Sequence, residues 1–225
     1  MEPWTYALLL AGSLLVPLLR SFEQRIFFIG NWRALLAGIF VMILVFIPWD
    51  IAFTRHGVWG FSPVHVSGAY IAGLPLEEWM FFVVIPYCVV FSYEVIRYFF
   101  PNTLFPKLSL WLSVIIGAGL VATGLMNTDR IYTFIVMLLA GALMIVQPIL
   151  KSHKTWLSHF FVTYAITLIP FFIVNGVLTR IPVVWYDNAE NLGIRLTSIP
   201  IEDSAYFMAM MLIVLPVYER LKPIK

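Results

Sequence analysis

The sequence predicts an all-α, polytopic membrane protein whose seven transmembrane helices form a 3+1+3 parallel internal repeat. Three observations carry that expectation. Of 225 residues, 61% are hydrophobic and 12% charged, whereas about 25% of an ordinary soluble domain is charged. Seven apolar stretches approach the roughly 20 residues that cross a bilayer: about 3–20, 33–52, 76–98, 108–126, 131–150, 157–178 and 203–221. The third stretch and the chain before it are echoed by the last one at an offset of 125 residues.

Each element follows from its own residues. The first stretch, MEPWTYALLLAGSLL, carries an acid, no basic leader and no Ala-x-Ala site, so it is expected to be a retained helix rather than a signal peptide. The second ends in IPWD at Asp50, and the third opens with LPLEEWMFF after Pro75. Cys88 is the sole cysteine and lies inside the third stretch, which excludes an internal disulfide and a thiolate metal site. It reads as a small apolar core residue. The fourth stretch, LSLWLSVIIGAGLVATGL, has no counterpart and reads as a linker. The expected organisation is therefore a first three-helix repeat over 1–100, a linking helix over 101–130 and a second repeat over 131–225.

The repeat is most distinct where IPIEDSAYFMAMMLIVLPVYERL (199–221) aligns without a gap on LPLEEWMFFVVIPYCVVFSYEVI (74–96). Pro75 pairs with Pro200, Glu77 with Glu202, Glu78 with Asp203, Phe82 with Phe207, Tyr93 with Tyr218 and Glu94 with Glu219. With small gaps, PLLR at 17–20 matches PILK at 148–151, and the IP at 47–48 matches that at 169–170. Because an odd helix joins them, both halves keep one topology. A pseudo-twofold axis along the membrane normal is expected, as in parallel-repeat transporters, with equivalent carboxylates facing one another.

Basic residues set the orientation. Arg20, Arg25, Arg33, Arg97, Lys107, Lys151, Lys154, Arg220, Lys222 and Lys225 fall on one side, and Arg55, Arg130, Arg180 and Arg195 on the other. The expectation is an outer N-terminus and a cytoplasmic C-terminus. Glu2, Asp50, Glu77, Glu78, Asp129, Asp187, Glu190, Glu202 and Asp203 are then outer acids.

Proline followed by acids is an ordinary helix start, since proline suits the first turn and acids there complement the helix dipole. Repetition of Pro-x-Glu-acid in two helices adds a chemical reading, because carboxylates beside apolar spans are costly. Neighbours on a helix point about 100° apart, so Glu77 and Glu78 make a poor dyad. A cross-repeat pair such as Glu77 with Glu202 is better placed. Two such carboxylates sharing a proton make one of them an acid near neutral pH.

Around them lie Trp49, Trp59, Phe61, Tyr70, Trp79, Phe81, Phe82, Trp185, Tyr186, Tyr206 and Phe207. These form either an interfacial aromatic belt or ring faces that stabilise a cation. Asp50 and Asn175 end the second and sixth stretches, as loop anchors or as partners behind the carboxylates. Tyr93-Glu94 and Tyr218-Glu219 lie about 25 Å further along their helices and are expected to organise the cytoplasmic ends.

His56, His65, His153 and His159 show no metal-ligand spacing, and no metal is expected. No Gly-x-Gly-x-x-Gly follows a strand, so no flavin or nicotinamide cofactor is expected. All five lysines lie in loops or the tail, which excludes a retinal Schiff base. A small proton-coupled transporter competes, although Gln147, Thr163 and Thr167 supply a sparse polar path.

LPLEEWMFF and SIPIEDSAYF, preceded by IPWD and VNGVLTRIPVVWYD, make the chain similar to the small membrane-integral lycopene cyclases of carotenoid-making bacteria, archaea and fungi. The similarity spans both halves, which some bacteria make as separate subunits. Asp203 stands where Glu is also common. Fungal relatives carry a fused phytoene synthase domain, and no Asp-rich diphosphate motif occurs in these residues.

The resemblance implies a lycopene β-cyclase that closes the acyclic ends of a lipid-dissolved carotenoid in a redox-neutral isomerisation. One acid, one base, cation-tolerant walls and exclusion of water suffice. Glu77, Glu78, Glu202 and Asp203 are the expected acid/base group. Trp49, Asp50, Trp79, Phe82, Asn175, Trp185, Tyr206 and Phe207 are the expected substrate-binding residues, with access from the lipid between helices. Membrane lipid, other pathway enzymes or a second copy are the expected partners, nucleic acid is not, and the expected location is the cell inner membrane. A cyclase forming another ring type, or one acting on a longer (C50) carotenoid, is the alternative within the same chemistry.

Overall fold

The computed structural model describes residues 2–223, with Lys225 and the side chain of Glu2, both counted in the orientation argument, outside that description. Among the described residues the chain forms seven α-helices: α1 (Thr5–Arg20), α2 (Trp32–His56), α3 (Leu76–Phe99), α4 (Pro106–Leu125), α5 (Ile131–Ile149), α6 (Leu157–Arg180) and α7 (Glu202–Leu221). Six, α2 to α7, are long and apolar enough to cross a membrane. The expected seventh span differs: α1 has 16 residues, about 24 Å at 1.5 Å per residue, against a hydrocarbon core of about 30 Å. It stops at the polar stretch Arg20 to Glu23, where Ser21 Oγ donates to the Pro17 carbonyl at 2.7 Å.

The most buried helices are α3 and α7. Helix α1 packs on α3 and α5 on α7, while α2 packs on α7 and α6 on α3. The α4 helix lies mainly against α5. Ser109, Ser113, Gly117 and Gly124 are its buried face, and a Cβ on Gly141 of α5 would stand 2.7 Å from the Gly117 carbonyl oxygen. Within a bilayer, large apolar side chains gain little by leaving lipid, so close backbone approach at small residues supplies the helix contact. Prolines interrupt α1, α2, α3, α5, α6 and α7 at positions 17, 48, 86, 148, 170 and 216. Neighbouring groups satisfy some of the freed carbonyls; Cys88 Sγ donates to the Ser13 carbonyl, the one Pro17 leaves open, at 3.4 Å.

Short antiparallel ribbons cap one end of the bundle. Strand β2 (Tyr70–Ile71) pairs with β3 (Leu74–Pro75) and leads into α3, and β5 (Arg195–Leu196) pairs with β6 (Ile199–Pro200) and leads into α7. Every paired residue of one hairpin lies 125 positions from its equivalent in the other. Ala72 and Thr197, also 125 apart, both turn with positive φ, at 55° and 62°, a conformation that tight hairpins require. A third ribbon joins β1 (Trp59–Phe61) to β4 (Val184–Tyr186), pairing Trp59 with Tyr186, Gly60 with Trp185 and Phe61 with Val184. Gly60 and Trp185 are themselves 125 apart, so this ribbon is self-complementary about its central pair. Trp185 covers Gly60 so closely that a Cβ has no room there.

At the opposite end the two Tyr-Glu motifs clasp each other. Tyr93 Oη donates to Glu219 at 2.8 Å, and Tyr218 is hydrogen-bonded to Glu94. Arg97 pairs with Glu219 at 2.7 Å, and Lys222 bridges to Glu94 at 3.1 Å. This network fastens α3 to α7.

Candidate active site

Five carboxylates are buried beneath the ribbons: Asp50, Glu77, Glu78, Glu202 and Asp203. The first turns of α3 and α7 set four of them in two adjacent pairs, and adjacency on a helix sends the members of each pair to different surroundings.

Glu77 and Glu202 turn toward the loops. Glu77 Oε1 accepts the Ser67 N–H at 2.7 Å, and Glu202 Oε1 accepts the Leu192 N–H at 2.7 Å and the Thr133 hydroxyl at 2.6 Å. Ser67 and Leu192 stand ten residues before their acids and 125 apart. Each glutamate thus ties the loop preceding its hairpin to the helix. The Oε2 atoms of both are buried without a hydrogen-bond partner among the described residues.

Glu78 and Asp203 turn instead toward a cavity of about 50 Å³ that both line. Tyr6 Oη donates to Glu78 Oε2 at 2.7 Å. Tyr132 Oη donates to Asp203 Oδ1 at 2.6 Å, and Tyr186 Oη to Oδ2 at 2.8 Å. The phenols come from matching places, since Tyr6 and Tyr132 are each the second residue of their helix. Those helix starts are held alike: the Tyr6 N–H donates to the His65 carbonyl and the Tyr132 N–H to that of Glu190. Burial, and then the adjacent Asp203 carboxylate, push the Tyr186 hydroxyl above its ordinary range, so it remains a proton-bearing donor.

Asp50 supports the cavity from behind. Its Oδ1 accepts Trp59 Nε1 at 2.6 Å. Aromatic faces complete the walls: Trp59, Phe61 and Tyr186 come from the β1–β4 ribbon, and Phe81, Phe171 and Tyr206 from α3, α6 and α7. Asn175 and Thr179 add the polar groups of α6. Tyr206 packs against Trp49, Trp59 and Tyr132, with ring centroids 5.0, 6.1 and 6.5 Å apart.

The eight expected substrate-binding residues divide. Asn175 and Tyr206 line the cavity, and Asp50 and Trp49 back it. Phe82 packs behind Phe81 and Phe46. Phe207 lies deeper, stacked on Phe171 at 4.4 Å. Trp79 and Trp185 stand apart: Trp79 Nε1 donates outward to the Ile71 carbonyl, and Trp185 is 46% exposed on top of the ribbon. Period-two strand geometry gives the reason, because Trp185 and its neighbour Tyr186 point to opposite faces. Sequence reasoning missed Tyr6, Tyr132 and Thr133. The signal available was the tyrosine one residue into the first helix of each repeat, at an offset of 126 rather than 125.

Both halves of the chain are similar to known proteins. The family model described as lycopene cyclase matches residues 3–96 and 129–221. A bifunctional lycopene cyclase/phytoene synthase of Neurospora crassa is 33% identical over 57 residues, covering 24% of this chain and 10% of that protein. The match thus spans about a tenth of the length of that relative. No solved structure matches. With both halves matched and only the α4 region passed over, this chain belongs to the lycopene cyclase family.

Proposed function

We propose that the chain is a lycopene β-cyclase that converts the acyclic ends of lycopene to β-ionone rings, with Glu78 and Asp203 transferring the protons. The observation that carries this reading is one aromatic cavity holding a carboxylate from each helix, Glu78 from α3 and Asp203 from α7.

Cyclisation adds a proton to the terminal double bond, the next suitable alkene attacks the resulting cation, and a different proton leaves. The atoms balance without an electron carrier. Among the described residues Glu78 accepts one phenolic hydrogen bond, through Oε2, and its other oxygen is available to carry the incoming proton. Asp203 accepts two, an arrangement suited to a charged carboxylate that removes the departing proton. Between the two steps, the faces of Trp59, Tyr206 and Phe81 stabilise the cation. The β1–β4 ribbon covers the cavity and keeps bulk water from trapping it. Glu77 and Glu202 act one step removed, holding the loops that carry the lid.

The proposal includes the 3+1+3 organisation, supported by the matched hairpins, the self-complementary ribbon and the family match that leaves out α4. It also includes a multi-pass protein of the cell inner membrane with its N-terminus outside, supported by the distribution of basic residues. The test is expression of this chain alone in a lycopene-accumulating host, followed by pigment analysis. Bicyclic β-carotene in the wild type, and retained lycopene in a Glu78→Gln, Asp203→Asn variant that still inserts, is the expected result. Unchanged lycopene in the wild type refutes the reading.

A further inference from the structure

A second cavity continues the first toward the middle of the membrane. It is a half-open groove of about 170 Å³ between α1 and α6, two helices that meet only loosely. Along α3, Glu78 and Phe81 line the acid cavity, and Ile85, Cys88, Val89 and Ser92 line the groove below it. Along α6 the order runs from Asn175 and Leu178 in the cavity to Pro170 and Thr167 in the groove. Phe171 lines both. The two spaces are therefore consecutive, with one ring between them.

Size and polarity suggest what the groove takes. The acid cavity has less than a third of the groove's volume, about 50 against about 170 Å³, so a carotenoid end enters only when a wall gives way. The rest of a polyene must lie outside it. From Glu78 to Ser92 along α3 is about 21 Å at 1.5 Å per residue, so the groove descends from the acid layer into the hydrocarbon. Its walls are mainly apolar, and its hydroxyls are internally engaged: Ser13, Ser92 and Thr167 donate to the carbonyls of Leu9, Cys88 and Thr163. Such walls offer little to a polar solute and suit a rigid hydrocarbon rod.

We propose that the α1–α6 groove seats the polyene chain of the substrate while its acyclic end occupies the acid cavity, and that Phe171 is the gate between them. The inference rests on the cyclase reading and locates the substrate's path from lipid. Phe171 stacks on Phe207, so passage requires that stack to slide or open. With one groove serving the site, one end reacts at a time, and the second ring forms after the molecule has left and returned reversed.

The experiment fills the groove without touching the acid cavity. Cys88→Trp and Val174→Trp, at residues of α3 and α6 that line the groove, block it from both helices. Leu15→Trp, on the exposed face of α1 and outside the groove, serves as the control. Two substrates are supplied to membranes containing each variant: lycopene, and a short apocarotenoid with one acyclic end and too little chain to occupy the groove. Both blocking variants are expected to convert lycopene about tenfold or more slowly, the effect of overpacking by about 1.4 kcal/mol, and the apocarotenoid at the wild-type rate. The control converts both substrates.

Inserted blocking variants that convert lycopene normally overturn the proposal. Equal loss of both substrates overturns it too, because that is general damage. If a tryptophan variant fails to insert, Cys88→Leu and Val174→Phe carry the same comparison. A wild type that cyclises neither substrate refutes the cyclase reading itself, whereas one that cyclises both alongside indifferent groove variants refutes only the groove.

Discussion

Replacing Glu77 and Glu78 separately by glutamine tests the division of labour between neighbouring acids. Glu77 Oε1 accepts the Ser67 N–H at 2.7 Å, and a glutamine oxygen can accept the same bond. A hydrogen bond to a charged acceptor is worth about 1.5–3 kcal/mol and a neutral one about 0.5–1.5, so Glu77→Gln should cost about 1–1.5 kcal/mol of stability. For a chain of this size that lowers Tm by about 2–6 °C, while turnover per folded molecule stays within a few-fold. Glu78→Gln can keep the bond from Tyr6 but loses the transferable proton, and general acid catalysis contributes about 10²–10⁴-fold. Its turnover should fall by that factor with Tm nearly unchanged. The assay is single-turnover conversion of lycopene in membranes, normalised to inserted protein, beside a melt of the purified protein in detergent. Turnover within about tenfold of wild type in Glu78→Gln, or a hundredfold loss in a thermally normal Glu77→Gln, would refute the reasoning.

Two further substitutions probe the ends of the bundle. Gly60→Leu cannot be accommodated beneath Trp185; it should displace that ring, shift tryptophan emission and lower stability by about 1–3 kcal/mol, with slower cyclisation because the lid no longer closes. A variant with unchanged emission and activity would show that the ribbon does not act as a lid. Arg97→Ala removes one partner of Glu219 while leaving Lys222 at the same carboxylate. It should destabilise the protein by up to about 3 kcal/mol, measured by melting in detergent, while turnover per folded molecule is unchanged, because Arg97 lies about 28 Å from Glu78 along α3.

Much of the architecture was legible because membrane helices announce themselves by length and apolarity. The expected spans overlap all seven helices, and Pro75 and Pro200 mark the entrances of α3 and α7. The deviation at α1 has a plain cause: apolar residues continue to position 19, but the 3-10 turn Glu2–Trp4 and the polar turn at Ser21 leave too short a helix between them. The four acids were visible as a repeated pattern, whereas the phenols that hold two of them were not, since a lone tyrosine near a helix start looks like any interfacial aromatic.

By itself the sequence determined the helical character of the chain, the length and apolarity of helices that suit a membrane, the offset of 125 residues and the identity of the carboxylates, because these depend on local composition and periodicity. Only the tertiary structure decided which acid of each pair meets the cavity. A helix turn of about 100° per residue separates Glu77 from Glu78 and Glu202 from Asp203, but what stands on either side depends on how α1, α5 and the ribbons pack around α3 and α7. That packing turns Glu77 and Glu202 toward backbone amides. It turns Glu78 and Asp203, each held by tyrosine, toward one shared space.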